Sequence, residues 1–302
     1  MAALNNVRMV DSKDYTIVTS ILREFFTKKG FLEVHPQSRL SILAACEDPK
    51  TIATYNYKND IWPLPQTGQM WLEYEMLKHP DRAPGYFCVS TSYRNEPNPV
   101  PGRHEIIFPM FEFEIKGGIE ELEVMESELL EFVGFKLNAH DNGETYYHGD
   151  DYKNVAVKYG VKELENEHEA LLEKDYGPVF FLKNFPNYTS PFWNMAQNEE
   201  PQETEQMKDT AKKIDVIVHG METIGSAERS CDKEEMRRQF ETISEGEYAQ
   251  ILYDKFTKER VTAELDEFLK FDFFPRSGGG IGLTRLIRGM KMSGLMPEPV
   301  QK

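Results

Sequence analysis

Helical and strand-like spacings of apolar residues alternate along the chain without a strict repeat. Residues 13–29 carry Val18, Ile21, Leu22 and Phe25 at helical spacing, and Gly30 supplies a stop. The run 31-FLEV-34 then reads as a short strand ending near Pro36. Two apolar segments, 86-YFCVSTSY-93 and 106-IIFPMFEFEI-115, flank a loop rich in proline and charge. They predict the arms of a long antiparallel hairpin, closed off by Gly117-Gly118. A helix from about Glu120 to Phe135 follows, with Leu122, Met125, Leu129 and Val133 on one side.

Residues 138–176 turn polar and acidic around one helical stretch, 161-VKELENEHEALLEK-174, which predicts an insertion or a small helical lobe. Strand patterns return at 178–185 and 214–219, separated by a polar loop rich in Asn, Gln and Glu. A long helix over 232–256 and another around 257–270 lead into 271-FDFFPRSGGGIG-282, and a last helix begins near Leu283. Hairpin-joined strands mixed with helices predict an α/β (α+β) fold, an antiparallel sheet flanked by helices, as a single domain over 1–302.

Composition narrows the function classes. With 35 Lys+Arg against 51 Asp+Glu, the net charge is −16. A protein built mainly to grip nucleic acid usually presents a basic face, so this balance argues against that role and suits solubility. No apolar run approaches the roughly 20 residues of a membrane span. The N-terminal MAALNNVRMVDSKDY lacks the apolar block of a signal peptide. Cys46, Cys88 and Cys231 are odd in number and far apart, which argues against a disulfide framework and for a reducing, cytoplasmic setting.

Three constellations carry candidate chemistry. In 94-RNEPNPVPGRHEIIFPMFEFE-114, Arg94 and Arg103 bracket a loop that prolines hold open. A guanidinium fork suits phosphate, Glu96 can accept from an exocyclic amine, and Phe108 offers a ring face for a base. A solvated surface loop with ordinary charges is the competing reading of so short a pattern. In 278-GGGIGLTRLIRGM-290 the glycine run allows close backbone approach, and Arg285 stands near the N-terminus of the helix that follows. A tight strand-to-helix joint explains the same residues. In 215-DVIVHGMETIGSAER-229, Asp215 opens an apolar strand and Glu222 follows its end, so the two could share Mg²⁺ with phosphate oxygens. Arg229 could clamp the carboxylate or amide of a small substrate, and strand-end charges without a ligand remain the alternative. Zinc-ligand spacing, a Walker-type lysine loop, a dinucleotide fingerprint and a Gly-x-Ser-x-Gly elbow are not found in the sequence.

In this order the three constellations resemble the signature motifs of the class II aminoacyl-tRNA synthetases, most similarly the aspartyl/asparaginyl branch. The helix–strand unit ending at Pro36 resembles motif 1, the dimer-forming element, while 94–114 resembles motif 2 and 278–290 motif 3. The resemblance covers nearly the whole chain. It implies that Arg94 contacts the α-phosphate of ATP and that Glu96 reads adenine. Arg103 and His104 would lie near the γ-phosphate, Phe108 would stack on adenine, and Arg285 would be the motif 3 arginine. Arg94 and Arg285 would thus be the catalytic pair. By the same resemblance Asp215 and Glu222 hold Mg²⁺, Arg229 holds the side-chain end of aspartate or asparagine, and Gln69 in 66-QTGQMWLE-73 contacts the amino acid. Glu112 would face the substrate ammonium.

Several positions depart from the family pattern. Aspartyl enzymes carry lysine where Leu72 stands, motif 3 usually has an acid at Thr284, and Glu228 beside Arg229 is unexpected. The glycine run is similar to that of ammonia-dependent asparagine synthetases, which share the fold. The core begins almost at residue 1, so an anticodon-binding domain is not expected in this reading. The leading expectation is therefore a homodimeric asparagine synthetase that converts aspartate, ATP and ammonia to asparagine, AMP and pyrophosphate. One alternative is an asparaginyl-tRNA synthetase-like enzyme passing activated Asn or Asp to tRNA or another acceptor. Another is a non-catalytic regulatory paralog.

Overall fold

One eight-stranded sheet organises the chain, and the alternation of its side chains divides the interior into a core face and a cleft face. The computed structural model describes residues 9–36, 39–45, 47–100, 102–139, 145–198 and 209–297. Cys46 and residues 199–208 of the polar loop between the strand patterns at 178–185 and 214–219 lie outside them. Helix α1 (Ser12–Lys28) starts where Asp11 accepts hydrogen bonds from the backbone N–H groups of Lys13 and Asp14. Its buried stripe of Val18, Leu22, Phe25 and Phe26 faces the sheet. Strand β1 (Leu32–Glu33) pairs in parallel with β4 (Gly85–Tyr93), after a small hairpin of β2 (Thr54–Tyr57) and β3 (Asp60–Pro63) and helix α2 (Gln69–Lys78). β4 and β5 (Ile107–Lys116) form the expected long antiparallel hairpin.

On β5 the period of two is explicit. Phe111, Phe113 and Ile115 enter the core beneath α1, α3 (Ile119–Val133) and α9 (Leu283–Met292), while Glu112 and Glu114 turn the other way. The order across the sheet is β1-β4-β5-β12-β11-β10-β9-β8. Here β8 is His148–Asp151, β9 Val179–Pro186, β10 Thr210–Val218, β11 Glu222–Arg229 and β12 Arg276–Gly282. A separate ribbon, β6 (Asn138–Ala139) with β7 (Thr145–Tyr146), precedes β8. Helices α6 (Lys233–Thr242), α7 (Glu247–Phe256) and α8 (Lys258–Phe268) bury a second cluster against α2 and Trp193, on the cleft side.

Four features differ from the periodicity reading, each for a local reason. The segment 138–176 is tied into the main sheet, because β8 pairs in parallel with β9. Helices α4 (Tyr152–Tyr159) and α5 (Asn166–Tyr176) pack Tyr152, Val155 and Leu172 on Phe180, Leu182 and Ile217. The strand 148-HGDD-151 has no apolar alternation to announce it. The helix expected over 232–256 is two helices, because Ser244, Glu245 and Gly246 all take positive φ. Residues 222–229, where the periodicity predicts no element, form a central strand. The glycine run is likewise a central strand, paired on both sides by β5 and β11.

The core face holds one group that burial leaves under strain. Glu126 on α3 is fully buried, and neither carboxylate oxygen has a satisfactory hydrogen-bond partner among the described residues. Burial pushes its pKa from 4.5 up to about 8, with the Ser226 hydroxyl offsetting only part of the cost. The folded state therefore holds a proton that the unfolded chain releases, and this contribution to stability falls as pH rises from about 4.5 through about 8. Glu126→Gln removes the ionisation, so its Tm is expected to fall less between about pH 6 and pH 9 than that of the parent chain, by several degrees. Parallel melting profiles over that range would contradict the assignment.

Candidate active site

The floor of a cleft of about 420 Å³ is built where β10, β11, β12 and β5 lie side by side. Its depth depends on missing side chains. A Cβ on Gly278 would overlap the Glu114 carboxylate and the Phe113 carbonyl, and one on Gly280 would lie 2.7 Å from Met110 Cε. A Cβ on Gly225 would lie 2.9 Å from Glu222 Oε1. The glycines serve close approach on a flat strand, with no turn involved.

One end of the cleft gathers cations. Arg94, at the end of β4, donates from Nη2 to Glu47 Oε2 at 2.7 Å, and its guanidinium lies 5.8 Å from the Phe108 ring centroid. Arg103 donates to Glu169 Oε2 at 2.6 Å and to the Gly220 carbonyl at 3.3 Å. His104 Nδ1 and Glu96 Oε1 are 2.8 Å apart. Arg285, in the first turn of α9, donates to the Glu222 carbonyl at 2.7 Å and lies 3.6 Å from that residue's carboxylate. Burial works against ionised Glu222, but Lys213, Arg285, Arg94 and Arg103 outweigh it and hold its pKa below the usual carboxylate value. All seven residues assigned to ATP, namely Arg94, Glu96, Arg103, His104, Phe108, Glu222 and Arg285, line this one cleft.

The other end holds a buried ionic network. Arg229 Nη2 lies 3.4 Å from Glu114 Oε2 and donates to the Gly278 carbonyl at 3.0 Å, and its Nε is 3.8 Å from Glu73 Oε1. Arg276 donates from Nε and Nη2 to Glu73 Oε2 at 3.0 and 2.8 Å. Gln69 lines the cleft and donates to the Phe113 carbonyl at 3.0 Å and to Glu114. Glu112 also lines it, but its carboxylate is already occupied by the Gly68 N–H at 2.8 Å and the hydroxyls of Thr67 and Ser90. Its evident work is to fix the loop that starts α2. Burial raises the Glu114 pKa to about 7, against the lowering influence of Arg229.

Asp215 and Glu222 are not equivalent. Glu222 opens onto the cleft, whereas Asp215 lies under its wall and is 6% exposed. Asp215 Oδ2 accepts from Lys213 Nζ at 2.7 Å, while Oδ1 is buried without a hydrogen-bond partner among the described residues. Burial pushes the Asp215 pKa up to about 7, with Lys213 opposing. No cluster of three or more His, Cys, Asp or Glu suited to a metal ion occurs among the described residues.

Other expectations are clarified by strand alternation. Glu228 points away from the cleft, where it accepts from the Ile119 N–H at 2.8 Å at the start of α3 and pairs with Lys212 at 3.2 Å. Leu72 packs with Met76, Tyr86 and Cys88, and Thr284 lines the cleft. The sequence reading did not single out Glu47, Glu73, Glu114, Glu169, Lys213 or Arg276. Glu114 follows Glu112 by two on one strand, so alternation alone could have found it. Glu47 reaches the cleft, and Glu169 reaches Arg103 at its edge, from distant segments, and neither carries a local signal.

The profile of the family described as tRNA synthetases class II (D, K and N) matches residues 12–294. The chain belongs to that family. The Aspartate–tRNA(Asp/Asn) ligase of Methanopyrus kandleri is 22% identical over 299 residues, covering 90% of this chain and 62% of that protein. Asparaginyl-tRNA synthetase from Pyrococcus horikoshii, solved with asparaginyl-adenylate, superposes with a TM-score of 0.71 at 20% identity, over 92% of this chain and 64% of that one. The Entamoeba histolytica asparaginyl-tRNA synthetase gives a TM-score of 0.66 at 18% identity, over 93% and 64%. The chain thus spans less than two thirds of the length of these relatives. At such identities the superpositions establish the fold, a large mostly antiparallel sheet flanked by helices. No helix among the described residues is long and apolar enough to cross a membrane.

Proposed function

We propose that the chain activates asparagine or aspartate with ATP and transfers the aminoacyl group to an acceptor, with tRNA the favoured one. The carrying observation is a single cleft lined by Arg94, Arg103 and Arg285 at one end and by Arg229 at the other, with the buried Glu114 paired behind Arg229. A carboxylate oxygen of the amino acid attacks the α-phosphorus of ATP, the bond to the bridging oxygen breaks, and pyrophosphate leaves. Arg94 and Arg285 stabilise the charge that builds on the phosphate oxygens, so no protein nucleophile is needed. Phe108 and Glu96 serve the adenine, and Arg103 with His104 the terminal phosphates. Glu222 and the orphaned Oδ1 of Asp215 fit Mg²⁺, which typically takes one or two carboxylates with substrate phosphates and adds charge neutralisation there. A homodimer through the α1–β1 unit belongs to the same reading.

Two considerations favour this reading over ammonia-dependent asparagine synthesis. The matched relatives are tRNA ligases. In addition, Arg229 is already balanced by Glu114 and Glu73, so the side-chain end offers a donor beside an acceptor. A carboxamide needs both, whereas a carboxylate needs donors only. Asparagine is therefore the preferred substrate. Ionised Glu114 accepts from the amide, and protonated Glu114 can instead donate to a carboxylate. The preference for asparagine over aspartate is thus expected to shrink as pH falls below about 7. Amino-acid-dependent pyrophosphate exchange with both substrates at pH 6 and 8 tests this, followed by product analysis with tRNA or ammonium. Exchange with aspartate alone, and asparagine formed only with ammonium, would restore the synthetase expectation.

A further inference from the structure

Strand β10 places a lysine at the edge of the acids. Lys213 and Asp215 stand two apart and share the cleft side of β10, while Ile214, Val216 and Val218 enter the core beneath α3 and α9. Lys213 lines the cleft with its side chain 21% exposed. Its Nζ lies 2.7 Å from Asp215 Oδ2 and 3.7 Å from the Phe185 ring centroid. A partly buried ammonium is held best when paired. The Asp215 carboxylate in contact with it favours the ammonium form.

The partners around it follow a pattern. Arg94, Arg103 and Arg285 each have a carboxylate in reach, from Glu47, Glu169 and Glu222 respectively. Lys213 has Asp215, the acid whose remaining oxygen lacks a hydrogen-bond partner among the described residues. An ammonium carries three N–H donors, and Asp215 is the one hydrogen-bond acceptor that Lys213 reaches among the described residues. Donors are left over for an anion in the cleft. The cation that balances Asp215 is therefore built into the chain and does not have to come from solution.

We propose that Lys213 is a resident cation of the phosphate subsite, which neutralises Asp215 and offers its spare N–H groups to a bound triphosphate. Nucleotide binding then keeps much of its strength without a divalent ion. The inference rests on the ATP reading above and adds a nucleotide-binding residue to it. Its test is an equilibrium titration of ATP into the full chain, with chelator and with saturating Mg²⁺. The parent chain is expected to lose no more than about tenfold in affinity when Mg²⁺ is withdrawn, about 1.4 kcal/mol. Lys213→Met is expected to lose at least a further tenfold without the metal. Mg²⁺ restores most of that loss, because Asp215 Oδ2 is then released and both oxygens of Asp215 can serve the ion beside Glu222. Lys213→Arg keeps the metal-free binding. If Lys213→Met does not fold, the Lys213→Gln/Asp215→Asn double variant removes both charges together and is expected to lose metal-free affinity in the same way.

A parent chain that binds ATP only with Mg²⁺ overturns the proposal. So does a Lys213 variant that melts earlier but keeps the parent's metal dependence, since that is the signature of a purely structural ion pair. Failure of the parent chain to bind ATP under either condition overturns the nucleotide reading itself, and this inference with it.

Discussion

Arg94→Ala is expected to lower asparagine-dependent pyrophosphate exchange by about 10²–10³-fold, the usual cost of deleting one preorganised donor at a charge that grows in the transition state. The guanidinium is held at the end of β4 by Glu47 and lies near the Phe108 ring, with Nε buried and unpaired among the described residues. It is thus oriented before a ligand arrives. Little stability is at stake, because Glu47 is half exposed and its loss of a partner leaves no buried charge. The Tm is therefore expected to stay within a few degrees of the parent, and the KM for asparagine to move little. Arg94→Lys recovers only part of the rate, since a point charge does not reproduce the two-pronged fork. Exchange within tenfold of the parent would remove Arg94 from the α-phosphate.

Arg276→Met is expected to destabilise the fold by about 3–5 kcal/mol, because it strands a fully buried carboxylate. Arg276 and Glu73 are both 0% exposed, and Arg276 also donates to the Ser230 carbonyl at 3.2 Å. With Arg276 gone, Glu73 keeps, among the described residues, Asn194 at 2.7 Å and the more distant Arg229. For a domain of this size the loss corresponds to a fall in Tm on the order of 10 °C. The amino-acid pocket should suffer as well, since Arg229 is drawn toward Glu73 and away from Glu114, which raises the KM for asparagine. Glu73→Leu combined with Arg276→Met removes both charges and is expected to regain much of the stability without the pocket. A single variant that melts with the parent would mean the pair is not buried as described.

Most of the cation-lined end of the cleft was legible from sequence. Arg94, Glu96, Arg103, His104, Phe108, Glu222 and Arg285 fall within three local motifs, and all line the same cleft. The amino-acid end was legible only in part. Arg229 and Gln69 line the cleft, while the Glu112 carboxylate is hydrogen-bonded to the Thr67–Gly68 loop. Asp215 proved to be paired with Lys213. The helix–strand pattern of α1, β4, β5, α3 and α9 could be read because each has one apolar face of regular period. Strands β8, β11 and β12 could not, since 148-HGDD-151, 222-ETIGSAER-229 and 276-RSGGGIG-282 carry little alternation.

The sequence by itself determined the class of fold and the local groups that phosphate chemistry requires, because periodicity and short motifs are properties of neighbours along the chain. Tertiary structure decided which acid answers each cation: Glu47 for Arg94, Glu169 for Arg103, Glu73 for Arg276 and Asp215 for Lys213. Three of these pairs join residues 47, 66 and 203 positions apart. Spacing along the chain holds no information about such contacts. They exist because the sheet brings its strands side by side and burial then requires every charge to find a partner.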